Sequence, residues 1–155
     1  MKALIITADD FGLSDAVNEA VEQAHLRGVL GTASLMVGAS AAADAVKRAL
    51  RLPLLKVGLH LVLTGSKPVL APSEIPDLLG PDGNLSKRFI QSGFRFHFRK
   101  SVRAQLEREI RAQFELFRQF GLTLDHVNSH KHLHLHPTVF DLIVKVGAGY
   151  GLKAV

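Results

Sequence analysis

Short apolar runs alternate along the chain with longer amphipathic ones. Ala3, Leu4, Ile5 and Ile6 run together and stop at Asp9-Asp10, so residues 2–8 are predicted as a buried strand. Gly12 marks a turn, and Ser14 is an N-cap for a helix over 15–27. Ala16, Val17, Ala20, Val21 and Ala24 share one face of that helix, and Gly28 ends it. Residues 32–37 form a second strand, 40–52 an Ala-rich helix stopped by Pro53, and 56–63 a third strand. Residues 65–84 carry Pro68, Pro72, Pro76, Pro81 and Gly83 and are predicted as a long loop. Val102, Leu106, Ile110, Phe114 and Phe117 recur at helical spacing over 101–120. Residues 124–128 make a fourth strand, Pro137 opens a helix through 146, and 152–155 begin a fifth strand.

This order, with helices between successive strands, implies an α/β fold with a parallel sheet and helices outside it. Ionisable groups fall in or just after the strands: Asp9 and Asp10, then His60, then His126 and His130. Active sites of α/β barrels and doubly wound sheets gather at the C-terminal ends of the strands. A complete α/β barrel takes about 200 residues or more. The expectation is therefore a single domain over 1–155 that is the N-terminal portion of a longer barrel. The unfinished edge of such a sheet favours homodimerisation.

Composition narrows the classes. The 155 residues are 47% hydrophobic, enough for a core and too many for a disordered tail. The net charge of +5 is modest and its basic residues are scattered, so nucleic acid is not the expected partner. There is no Cys, which excludes disulfides, a thiolate nucleophile and Cys-ligated zinc. No apolar run reaches the roughly 18 residues of a membrane span, and two carboxylates cut off the N-terminal run before it makes a secretory signal. A cytoplasmic location is expected.

The chemistry is carried by acids and imidazoles. Adjacent carboxylates at the end of a buried strand are costly without a cation or hydrogen bonds, so one of Asp9 and Asp10 is a candidate metal ligand and the other a proton acceptor. The alternative is a turn with a helix-capping Asp. His60 lies in an apolar strand, where it is either a ligand or a hydrogen-bonded core residue. Five of the eight His (His126, His130, His132, His134, His136) fall within 126–136. If that segment is extended, the last four share one face. At least one is a candidate metal ligand, the others lying behind the ligands or against substrate. One Asp and two His from three strand ends would make a mononuclear site suited to hydrolysis of an amide or a phosphoester. A phosphate loop, a nucleophile-elbow serine and a His-Glu-x-x-His helix are all absent from the sequence.

Three motifs then resemble a known family. Thr7-Ala8-Asp9-Asp10-Phe11-Gly12-Leu13-Ser14, Val57-Gly58-Leu59-His60-Leu61-Val62-Leu63-Thr64 and His126-Val127-Asn128-Ser129-His130-Lys131-His132-Leu133-His134 resemble the YdjC-like (ChbG-type) carbohydrate deacetylases. Within that family the chain is most similar to the hopanoid-biosynthesis-associated deacetylase. That likeness rests on the opening stretch, Ala41-Ala42-Ala43-Asp44-Ala45, Pro76-Asp77-Leu78, Glu109-Ile110-Arg111-Ala112-Gln113-Phe114 and residues 125–137. The resemblance implies a deformed (β/α) barrel, one divalent metal ion (Mg or Zn) and removal of an N-acetyl group from an N-acetylated amino sugar. It implies Asp10, His60 and His130 as metal ligands and Asp9 as the catalytic base. His126, His132 and His134 are left as substrate-contacting or supporting groups and as candidates for the general acid. The family often has Asp where Asn128 stands and His where Lys131 stands, so neither is carried over as a ligand. Its later His, the general acid, has no counterpart here.

Two further readings complete the expectations. The run Phe94-Arg95-Phe96-His97-Phe98-Arg99-Lys100 alternates apolar and cationic side chains. It either meets a membrane surface or a glycosylated hopanoid tail, or packs its Phe residues into the helical layer. The alternatives to the deacetylase are a non-catalytic metal- or sugar-binding protein and a metal-dependent phosphoesterase.

Overall fold

A computed structural model describes residues 4–155. Its sheet has four parallel strands in chain order: β1 (Thr7–Phe11), β2 (Thr32–Leu35), β3 (Lys56–Leu61) and β4 (Val127–Ser129). Helix α1 (Asp15–Arg27) links β1 to β2, and α2 (Ala42–Arg51) links β2 to β3. The path from β3 to β4 runs through the long loop, α3 (Phe89–Phe98) and α4 (Lys100–Gln119), and α5 (Pro137–Gly147) follows β4. The α/β class with parallel strands is as expected.

The strand alternation explains how the layers form. Ala33, Leu35, Val57, Leu59, Leu61 and Val127 are buried and join one core with Val21, Ala45, Leu106, Ile110, Phe114 and Leu142 from the helices. Each fully buried Leu contributes about 1.5–3 kcal/mol over leaving it exposed. The intervening residues, Asp9, Ser34, Gly58, His60 and Asn128, are polar or glycine and take the other face. Ser14 caps α1 by accepting the Val17 N–H, and Pro137 occupies the first turn of α5, as the sequence predicts.

Some expectations shift. The first strand begins at Thr7, not residue 2. Lys2 and Ala3 lie outside the described residues, and Leu4 and Ile5 are 84% and 78% exposed. The ladder with β2 opens at Thr7↔Thr32, so pairing and not the apolar run sets the start. No fifth strand forms among the described residues; Val127 N–H donating to the Ala154 carbonyl at 3.0 Å is the trace of one. Helix α3 was not anticipated. Its apolar residues follow a period of four (Ile90, Phe94, Phe98), which the two-residue alternation around Phe96 hides. Phe96 packs into the core at 3% exposure, while Phe94 and Phe98 stand out at 64% and 73%. The packed alternative therefore holds for only one of these three Phe.

Candidate metal centre

Asp9 and Asp10 are inside β1, not at its end. Between the registered pairs Ala8↔Ala33 and Phe11↔Leu35, two residues of β1 oppose the single Ser34 of β2, which is a β-bulge. Asp10 takes the left-handed conformation, φ 60°, a region Asp tolerates better than most residues. The extra residue breaks the two-residue alternation. Ala8 and Phe11 both remain on the helix side, and both carboxylates reach the side that carries Asn128 and His60. Gly12, at φ 98°, completes the turn, and its N–H donates to the buried Asn18 Oδ1 at 2.7 Å. A Cβ there would press on the Met36 carbonyl and Ala42 at 3.2–3.3 Å, so the close approach requires glycine.

Asp10, His60 and His130 converge. Their donor atoms all lie within 4.8 Å of one another. Asp10 Oδ1 is 3.1 Å from His60 Nε2 and 3.1 Å from His130 Nδ1. Neighbouring donors on one ion with bonds near 2.1 Å lie about 3.0–3.4 Å apart, so the spacing fits a shared cation.

A chain of hydrogen bonds sets the tautomer of His60. The Asp9 carboxylate only accepts, so the Asn128 side-chain N–H₂ turns to it, donating to Oδ1 at 2.8 Å. Asn128 Oδ1 then faces His60 Nδ1 at 2.7 Å and accepts a hydrogen bond from its N–H. Ser34 Oγ donates to the same Asp9 oxygen at 2.9 Å and sits 3.1 Å from His60 Nδ1. With the proton on Nδ1, the Nε2 lone pair faces the site. That atom is buried and has no hydrogen-bond partner. A buried lone pair beside a carboxylate oxygen is unfavourable unless a cation lies between them. The donor set and this orphaned nitrogen fit a divalent ion.

Burial pushes the His60 pKa down, which favours the neutral imidazole that metals bind. For Asp9, desolvation acts upward, but hydrogen bonds from Ser34 and Asn128 outweigh it and hold the carboxyl below its usual range. Asp9 Oδ1 is 4.0 Å from His60 Nδ1, so this acid stands beside the triad and outside it.

The remaining histidines do not line up as an extended strand would place them. The chain coils over His130–Leu135, with Lys131 and His132 both left-handed at φ 56° and 54°. Ser129 Oγ accepts the His134 N–H at 2.8 Å and lies 2.9 Å from its Nδ1, which folds the segment back. Only His130 of the cluster joins the triad. The His132 and His134 rings pack edge to face at 5.9 Å, and burial together with the charge of His132 lowers the His134 pKa. His136 packs edge-on against Phe96. His126 is turned onto Gly58, where an added Cβ would lie 2.6 Å from its ring, and its Nδ1 pairs with Asp125 Oδ2 at 3.0 Å. Ser34 and Asn128 are not among the residues the sequence marks for this site. A Ser inside the apolar run 33–37 and an Asn alternating with His126 and His130 were the available signals.

The sequence profile of the YdjC-like protein family matches residues 3–155. A carbohydrate deacetylase of Vibrio vulnificus is 40% identical over 147 residues, covering 95% of this chain and 56% of its own length. One of Brevibacillus brevis is 38% identical, with the same coverage. A crystal structure from Enterococcus faecalis, provisionally described as a cellobiose-phosphate cleavage protein, superposes with a TM-score of 0.83 at 28% identity. It covers 97% of this chain and 57% of the other. The chain spans about half the length of the curated relatives it matches. It belongs to the YdjC-like family.

Proposed function

We propose that this site serves the hydrolysis of an N-acetyl group from an amino sugar, with one divalent ion held by Asp10, His60 and His130. The observation that carries the reading is the buried, unpartnered His60 Nε2 directed at Asp10 Oδ1. A divalent ion held by these three residues would polarise an amide carbonyl and lower the pKa of water. By ligand softness an Asp-His-His set favours Zn over Mg.

Asp9 is the proton acceptor in this scheme. Its hydrogen bonds converge on Oδ1, so Oδ2 is the oxygen available to take a proton from water. Ser34 and Asn128 keep the carboxylate ionised and aimed. The leaving amine needs a proton, and His132 and His134, on the turn that follows His130, are the candidates to supply it. The names of the relatives, carbohydrate deacetylases, support the sugar substrate.

The finer reading is an amino sugar carried on a hopanoid lipid. A groove of about 660 Å³ supports it, lined by Ile90, Phe94 and Phe98 of α3 and by Lys131, His132 and Leu135 of the turn after His130. The left-handed turn that lines this groove directly follows His130. The exposed Phe94 and Phe98, flanked by Arg95 and Arg99, would also meet a membrane surface; among the described residues no helix is long and apolar enough to cross one.

The decisive experiment is acetate release from N-acetylglucosamine by the Zn- or Mg-loaded protein. Asp9→Asn, whose amide oxygen can still accept from Ser34 and Asn128, should lower turnover by about 10²–10⁴ while metal affinity holds. Wild-type turnover in that variant, or hydrolysis of aryl phosphates with no acetate release, would sink the reading. Phe94→Ser with Phe98→Ser should reduce sedimentation with liposomes; unchanged binding removes the lipid contact.

A further inference from the structure

Helix α4 buries three polar side chains on its core face at a spacing of four: Gln105, Glu109 and Gln113. An ordinary amphipathic helix keeps such positions apolar, and burying an unpaired polar group is costly. Here each satisfies backbone that has left the sheet. Gln113 accepts the Val62 N–H at 3.0 Å and donates to the Val62 carbonyl at 2.7 Å. Glu109 accepts the Val69 and Leu70 N–H groups at 2.9 and 3.1 Å. Gln105 accepts the Asp77 N–H at 2.8 Å and donates to the Asp77 carboxylate at 2.7 Å.

The Gln113 contact is different in kind, because of where Val62 lies. Registered pairing of β3 ends at Leu35↔Leu59 on one side and Leu61↔Ser129 on the other. Val62 is the next residue, two beyond His60. Its N–H and C=O have no strand to pair with, and the Gln113 carboxamide presents the acceptor and donor a neighbouring strand would have supplied. Gln113 is held in turn by Glu109, whose Oε1 accepts its Nε2–H at 2.8 Å.

We infer that Gln113, oriented by Glu109, is a positioning residue for His60: it extends the hydrogen-bond ladder past the end of β3 and fixes the backbone that carries the imidazole. Hydrogen-bond partners of metal ligands are worth about 10–100-fold in affinity, and Gln113 acts one step further out. The inference rests on the metal-centre reading above.

The test measures Zn²⁺ affinity by chelator competition, alongside thermal stability, on the full chain. Gln113→Met keeps the volume and removes both hydrogen bonds to Val62, together with the one to Glu109. Gln105→Met makes the same change on the same helix face, where the contact is to Asp77 and not to the His60 strand. Both should lower Tm, and only Gln113→Met should weaken Zn²⁺ binding, by about three- to tenfold. Should Gln113→Met not fold, Gln113→Asn, too short to span both Val62 groups, takes its place. Affinity within twofold of wild type in the folded Gln113 variant, or equal weakening in Gln105→Met, overturns the positioning role. A wild-type protein that binds no Zn²⁺ removes the metal-centre reading itself, and the positioning role with it.

Discussion

On β3, Val57, Leu59 and Leu61 face the helices while Gly58 and His60 face the opposite side, and the two sets are held by different forces. The helix side is a contact surface. Its residues are buried by many small dispersion contacts, so each loss is graded by volume. The other side is a relay of single hydrogen bonds, Asp9 to Asn128 to His60, in which each partner dictates the orientation of the next. Removing one member leaves a neighbour unpaired instead of merely less packed. Packing and the hydrogen-bond relay thus occupy opposite faces of one strand, one residue apart.

The sharpest way to break that separation is to cut each face in turn. His60→Ala should have the largest effect, lowering metal affinity by more than about a hundredfold, beyond what loss of a supporting hydrogen bond causes. Titration with Zn²⁺ checks it, and acetate release should vanish with the binding. Retained affinity would mean that Asp10 and His130 do not need the third donor.

Leu59→Ala is the counterpart one residue away. Leu59 is fully buried on the helix side, so its truncation should cost about 2–5 kcal/mol in denaturant unfolding. Metal affinity of the folded variant should stay at the wild-type value. If it falls as far as in His60→Ala, the two faces are not independent and the separation fails.

Much of this division was legible in the sequence, and the exceptions share a cause. The spacing of Val102, Leu106, Ile110, Phe114 and Phe117 gave α4 nearly to its ends, because periodicity is a property of one segment. The residues alone left open which Asp and which His would meet; the resemblance of three motifs implied Asp10, His60 and His130, and these three do converge. The bulge was not, since Asp9 and Asp10 differ in conformation only through the pairing of β1 with β2. The spacing of His130, His132, His134 and His136 mimics a strand, and only the Ser129 hydroxyl folding back to the His134 N–H shows why the chain coils. Ser34 and Asn128 acquire meaning from neighbours 25 or more residues away. What a residue does alone or with its own segment was readable; what it does with a partner strand was not.

Glu109, a carboxylate buried among the apolar residues of the helix layer, should give a weaker, pH-dependent effect. Burial pushes its pKa up; hydrogen bonds from Val69, Gln113 and Leu70 offset part of that, and the charge of Glu74 adds to it. An acid whose pKa is raised on folding contributes stability that is fully present below its unfolded value and is lost as pH rises through the folded one. Wild type should therefore lose stability relative to Glu109→Gln as pH is raised from below 4.5 towards neutrality. The difference between the two proteins isolates this group, because carboxylates such as Glu115, lowered to about 2 by Arg118, titrate alike in both. Glu109→Gln also turns an N–H₂ towards a backbone donor, which sets a constant offset of about 1–3 kcal/mol beneath the pH-dependent part. Urea unfolding of both proteins across that range checks the sign. A stability gap that does not change with pH would show that Glu109 keeps an ordinary carboxylate pKa despite its burial. The helix side would then tolerate a charge as readily as the face that carries His60.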